Sequence, residues 1–72
     1  MEILGSFQSS SIRWVGYDRE NRVLHVVYTD NNTEYEYEGV SPGKWNALNR
    51  AGSKGRYINF HIKPFHKVTH SG

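Results

Sequence analysis

The sequence has no cysteine, so neither a disulfide nor a thiolate zinc site can brace the fold. Proline is scarce: Pro42 and Pro64 are the only two, and regular elements can run between them. No apolar run approaches the roughly 20 residues of a membrane span, which excludes a transmembrane helix from the expectations. The opening Met1-Glu2-Ile3-Leu4-Gly5 has no basic region, and its apolar run is too short for a secretory leader. These absences together lead to the expectation of a cytoplasmic protein. Acids are missing from one half. Residues 39–72 hold six basic residues and no Asp or Glu, whereas residues 1–38 hold all seven acids and three arginines. Such polarity suggests that one end faces an anionic partner; the alternative is that the two halves attract each other.

Seventy-two residues make one domain with a thin core. Aromatics must supply much of it: two Trp, five Tyr and three Phe. The polar stretch Gln8-Ser9-Ser10-Ser11 marks residues 1–10 as a flexible N-terminal arm. Three runs rich in Val, Tyr and Thr then read as strands: 12–17, 23–29 and 33–40. Asn31-Asn32 suits a two-residue hairpin turn, because Asn tolerates positive φ. That turn predicts Tyr28 opposite Tyr35, Val26 opposite Tyr37 and Leu24 opposite Gly39. A four-residue loop over 19–22 sets Tyr17 against Leu24 and Val15 against Val26. The predicted core face is Val15, Tyr17, Leu24, Val26, Tyr28, Tyr35 and Tyr37. The outer face carries Trp14, His25 and Val27 with Glu34, Glu36 and Glu38, and a slip by one residue would bury the glutamates.

Two short helices follow. Ser41 is a good N-cap with Pro42 at the first helical position, and Val40 and Trp45 stand at staple positions. Ser53 caps the second helix, and Pro64 ends it near Ile62. Tyr57, Ile58, His61 and Ile62 fall on one side of that helix; Arg56, Asn59, Phe60 and Lys63 fall on the other. The predicted architecture is α+β: a three-stranded antiparallel β-meander followed by two short helices packed on one face.

These residues resemble the KTSC domain family, named after the C-terminus of some lysyl-tRNA synthetases and also found as free-standing small bacterial or phage proteins. The matching pieces are Ser10-Ser11-Ile12-Arg13, Val15-Gly16-Tyr17-Asp18, Leu24-His25-Val26, Tyr35-Glu36-Tyr37 in the manner of the family's Y-x-Y signature, Gly39-Val40, Ala47-Leu48 and Ser53-Lys54-Gly55-Arg56-Tyr57-Ile58-Asn59, with Ile62-Lys63 just after. Trp14, Pro64 and His66 depart from the family pattern. The resemblance covers about 10–65 and implies a KTSC-like domain over 11–66 with a C-terminal tail over 67–72. It also implies a non-catalytic domain with RNA as the expected ligand, and it carries over no catalytic residues.

Among candidate sites, the basic helix face comes first. Lys54, Arg56, Lys63, Lys67 and Lys44 offer phosphate contacts, Phe60 a stacking surface and Asn59 a polar base or sugar contact. The alternative is a solvated face with Phe60 tucked under the tail. The acidic outer sheet face opposes nucleic acid, and Trp14 with Val27 and Glu36 reads instead as a protein-binding spot; the plainer reading is Trp14 covered by the arm, with the glutamates guarding an edge strand. His66 and His70 have a two-ligand spacing, but zinc wants three or four ligands and the pair follows Pro64 in the tail, so no metal site is assigned. No residue spacing forces a nucleophile against a base, so no enzyme and no cofactor are expected. The expected partner is nucleic acid, RNA before DNA, or else a protein; a membrane partner is not expected.

Overall fold

The computed structural model describes the whole chain except Ser6, Gln8 and Gly72, and the backbone alone of Ser71. Among the described residues, five strands form one antiparallel sheet in sequential order: β1 (Glu2–Ile3), β2 (Ile12–Asp18), β3 (Val23–Tyr28), β4 (Glu34–Tyr37) and β5 (Val68–Ser71). Helix α1 (Pro42–Arg50) and helix α2 (Lys54–Tyr57), which continues as a π-helical turn over Ile58–Ile62, lie between β4 and β5. The α+β class and the two helices match the sequence reading; the sheet has two more strands than expected. They come from the segments read as arm and tail. β1 is two residues long and β5 is the polar Val-Thr-His-Ser, so neither carries a legible period.

The β2–β3 register is the expected one, with Tyr17 opposite Leu24 and Val15 opposite Val26. Asp18 closes the loop by accepting the Asn21 amide at 3.1 Å, and Arg22 takes a positive φ of 57°. A bulge at Arg13 then moves Ile12 from the outer face to the core, where it is buried. The β3–β4 register differs from expectation by two residues: Val26 faces Tyr35 and Leu24 faces Tyr37. Asn31 and Asn32 do sit in the turn, but the loop spans four residues. Asn32 N–H donates to the Tyr28 carbonyl at 3.1 Å, and Asn32 carries the positive φ, 55°. A shift of two keeps every side chain on its predicted face, because the period of a strand is two.

Helix α1 begins as its sequence dictates. The Ser41 hydroxyl accepts the Lys44 amide at 3.2 Å, Pro42 opens the helix, and Val40 and Trp45 are both buried beside the cap. Gly39 turns the chain into it with a φ of 71°. The helix stops where Ala51 turns extended. Ser53 caps the second helix through the Arg56 amide, and Lys63 N–H closes the π turn on the Ile58 carbonyl at 2.9 Å. Ile58 and Ile62 are both fully buried by this turn.

The core lies between the sheet and the helices. Val15, Tyr17, Leu24, Val26, Val40, Leu48, Ile58 and Ile62 are all sealed from solvent, and Leu4 reaches it from the chain's first residues. Each buried aliphatic side chain contributes about 1.5–3 kcal/mol. Tyr28 and Tyr35, expected in the core, are only partly buried at its rim.

One node ties the layers. Tyr17 stacks on Trp45 with ring centres 5.2 Å apart, and its hydroxyl donates to the Val40 carbonyl. Trp45 Nε1–H donates to Glu2 Oε1 at 3.0 Å, and Glu2 is held by a two-point ion pair with Arg19. Replacing Tyr17 by Phe keeps the stack and strips a buried carbonyl of its donor, so urea denaturation should read a loss of about 1–3 kcal/mol. An unchanged urea midpoint would mean that the bond contributes nothing.

Glu2 also sets a pH dependence. The Arg19 hydrogen bond, outweighing partial desolvation, holds its carboxyl below the ordinary 4.5. The stability it contributes is present above the unfolded value and lost as pH falls through the lowered folded value. In a series of urea midpoints, wild type should therefore exceed Glu2→Gln near neutral pH, and the gap should close on acidification. A gap independent of pH would contradict this assignment.

Candidate nucleic-acid interface

The second helix presents Arg56, Asn59, Phe60 and Lys63 to solvent, all four exposed. They do not form one continuous stripe. Arg56 and Phe60 border a hollow of about 350 Å³ floored by the α1–α2 connection at Ala51, Gly52 and Ser53. Asn59 and Lys63 border a separate groove of about 320 Å³ against Ser10, Ser11 and Tyr28. Two rows thus flank the helix crest, consistent with a π turn, whose larger number of residues per turn carries positions i and i+3 off a common face.

The guanidinium of Arg56 stands 5.9 Å from the Phe60 ring centre, and Phe60 is 61% exposed. The tail does not cover it, because the tail forms β5 on the far side of β4. Lys63 lies over Tyr28, its ammonium 4.9 Å from the ring centre. Next to it the hydroxyls of Tyr28 and Tyr37 meet at 2.9 Å, and burial pushes both phenols above their ordinary range. The groove therefore offers neutral hydroxyls and one cation, Lys63, with the acid Asp30 on its rim beside Thr29. Gly55 keeps this wall close: a methyl at that position would stand 3.2 Å from the Ser11 hydroxyl, which would have to give way by a few tenths of an ångström.

Two of the predicted phosphate contacts are used inside the molecule. Lys54 reaches back to the end of α1, where its ammonium donates to the carbonyls of Asn49 at 2.8 Å and Ala51 at 2.6 Å. It satisfies orphan carbonyls and complements the negative end of the helix. The Lys44 ammonium donates to the His61 carbonyl at 2.9 Å and to His66 Nε2 at 2.8 Å, and lies 5.0 Å from the Phe65 ring centre. An ammonium has only donors, so His66 Nε2 is the acceptor and Nδ1–H donates to the Glu38 carbonyl at 2.8 Å. Lys67 sits beyond the second helix, where its carbonyl accepts the Glu38 amide at 2.9 Å. It borders neither groove. The seven candidates therefore resolve into two exposed pairs, two internal cations and one outlier.

On the open face of the sheet, Trp14 and Val27 are cross-strand partners, as expected, and Glu36 is opposite His25. The Trp14 ring lies across Gly16, so that a methyl at Gly16 would be 2.6 Å from the ring and 2.9 Å from Met1 Sδ. Leu4, Gly5, Phe7 and Arg13 border a hollow beside the same ring. The glutamates do not guard an edge, because β5 pairs along the outer side of β4. His25 Nδ1 meets Glu34 Oε2 at 2.8 Å, a hydrogen bond that the sequence reading did not single out. His66 and His70 are not brought together: His66 is held by Lys44 and Glu38, and the His70 ring lies 5.3 Å from that of Tyr35.

Among the described residues, no helix is long and apolar enough to cross a membrane. The family model of the KTSC domain matches residues 8–65. An uncharacterized protein of Stutzerimonas stutzeri is 43% identical over 61 residues, which span 85% of this chain and 84% of that protein. A protein of Tsukamurella paurometabola is 37% identical over 57 residues, covering 79% and 84% respectively. The crystal structure of a KTSC domain protein from Yersinia pestis superposes with a TM-score of 0.85 at 31% identity, over 94% of each chain. With the fold reproduced in that structure and the family pattern running from β2 through the second helix, the chain belongs to the KTSC domain family.

Proposed function

We propose that this chain is a non-catalytic cytoplasmic module that binds single-stranded nucleic acid, RNA before DNA, through the exposed face of its second helix. The observation that carries the proposal is the Arg56–Phe60 pair: an aromatic ring 61% exposed, with a guanidinium 5.9 Å from its centre. A free apolar ring on a cationic helix is a stacking platform for an unpaired base, and the adjacent guanidinium reaches the phosphate beside it. Asn59 supplies an amide for a base edge or a sugar hydroxyl, and Lys63 a second phosphate contact from the neighbouring groove. Lys54 and Lys44 act through their field rather than by contact, because their ammonium groups already donate to protein acceptors. With about two direct phosphate contacts, log K should fall with log salt at a slope of roughly −1.4 on a single strand.

The anisotropy of a labelled single-stranded RNA, titrated at two salt concentrations, tests this reading. Arg56→Glu should weaken binding tenfold or more, about 1.4 kcal/mol, with unchanged circular dichroism. Phe60→Ala should weaken it without changing the salt slope, since stacking releases no counterion. Equal affinity in wild type and Arg56→Glu would exclude this helix face. A second reading, a protein-docking module using Trp14, Val27 and Glu36, draws support from Met1 and Ile3, which extend the apolar surface near Trp14 and are 68% and 53% exposed. Under the first reading Trp14→Ala leaves RNA affinity within twofold; under the second it removes the partner.

A further inference from the structure

His25 and Glu36 are directly opposite on β3 and β4, and Glu34 lies two residues along the same strand. All three side chains therefore stand on the open face of the sheet. One ligand atom from each lies within 4.8 Å of the others, and each residue is partly buried. His25 is more enclosed than Glu34, with side chains 13% and 41% exposed, and its Nδ1 is 2.8 Å from Glu34 Oε2. The strands that carry the three are inner members of a five-stranded sheet, so the backbone beneath them is braced on both sides.

The counter-charge on this face is incomplete. Among the described residues, neither Glu34 nor Glu36 forms an ion pair with a lysine or arginine; Glu34 meets only His25, by a hydrogen bond. The β5 positions opposite them are Ser71 and Thr69, both uncharged. The two carboxylates carry two negative charges, and a divalent cation cancels both. An imidazole nitrogen beside two carboxylates selects the kind of cation. Zinc and its transition-metal neighbours accept nitrogen and oxygen donors together, whereas magnesium and calcium favour oxygen alone.

We infer that His25, Glu34 and Glu36 form a binding site for a divalent transition-metal ion of the zinc type on the open face of the sheet. The ion takes the place of the His25–Glu34 hydrogen bond, with the ligating imidazole neutral and its one proton on the other ring nitrogen, and recruits Glu36 as its third ligand. Donors held about 2.0–2.2 Å from one ion stand at most about 4.4 Å apart, so a modest swing of a glutamate side chain completes the set. Water fills the remaining position, which leaves the ion open to a further oxygen or nitrogen ligand. The site is separate from the helix face and does not depend on the nucleic-acid reading.

Isothermal titration of the full chain with zinc chloride, followed by two-dimensional NMR, tests the site. The expected result is one zinc per chain, with shifts centred on His25 and on the amides of β3 and β4. Substoichiometric manganese should broaden the same resonances. Glu36→Gln and His25→Ala should each weaken zinc binding roughly tenfold or more while preserving the circular dichroism spectrum. Glu36→Gln guards against a folding artefact, since it keeps the shape of a solvent-accessible side chain. Absence of saturable one-to-one binding would overturn the proposal. So would zinc shifts confined to His61, His66 or His70, or an affinity unchanged in both variants.

Discussion

A single buried phenol holds the layers of this molecule in place. Tyr17 is sealed from solvent in the second strand, donates its hydroxyl to the Val40 carbonyl and stacks on Trp45. Val40 is the residue before the helix cap, and Trp45 is the first core residue of α1. One side chain therefore fixes where the chain leaves the sheet and how the first helix lies on it. Through Trp45 and Glu2 the same node holds the first strand, and through the Val40 amide, which donates to the Arg22 carbonyl at 2.8 Å, it holds the first hairpin loop. A small domain has few core residues to spend on such links, so each carries a large share of the whole.

Fixing α1 fixes the second helix in turn. Lys54 binds the last carbonyls of α1, and Lys44 joins α1 to the end of the π turn and to His66. Part of the positive charge in the second half of the chain therefore serves helix ends and loops. What remains at the surface of the second helix is Arg56 and Lys63, each placed beside an aromatic ring. The acids are concentrated elsewhere, two of them on the open face of the sheet around His25. The polarity of the sequence is thus partly internal balance and partly a real division of the surface into a cationic helix face and an anionic sheet face.

Much of this was legible in the residues. The β2–β3 register follows from loop length and face pattern, and the caps Ser41 and Ser53 follow from helix chemistry. The shift of two in the β3–β4 hairpin was not legible, because the asparagines mark a turn without fixing how many residues it takes. Ile12 reaches the core only through a bulge, which leaves no sign in a period-two pattern. Nor could spacing reveal that Lys44 and Lys54 turn inward: their carbonyl partners lie on backbone whose direction depends on the packed helices. The His25–Glu36 juxtaposition depends on that same hairpin register, since the expected pairing would have set His25 against Glu38.

The central claim is that the exposed face of the second helix is the nucleic-acid surface. The most direct test is a map of amide shifts in isotope-labelled protein on adding a short unstructured RNA at low salt. The account predicts shifts from Gly52 to Lys63, with the Phe60 ring protons moved upfield by a stacked base, and little change along β1 and β2. Shifts concentrated around Trp14, Val27 and Glu36, with the second helix silent, would contradict it.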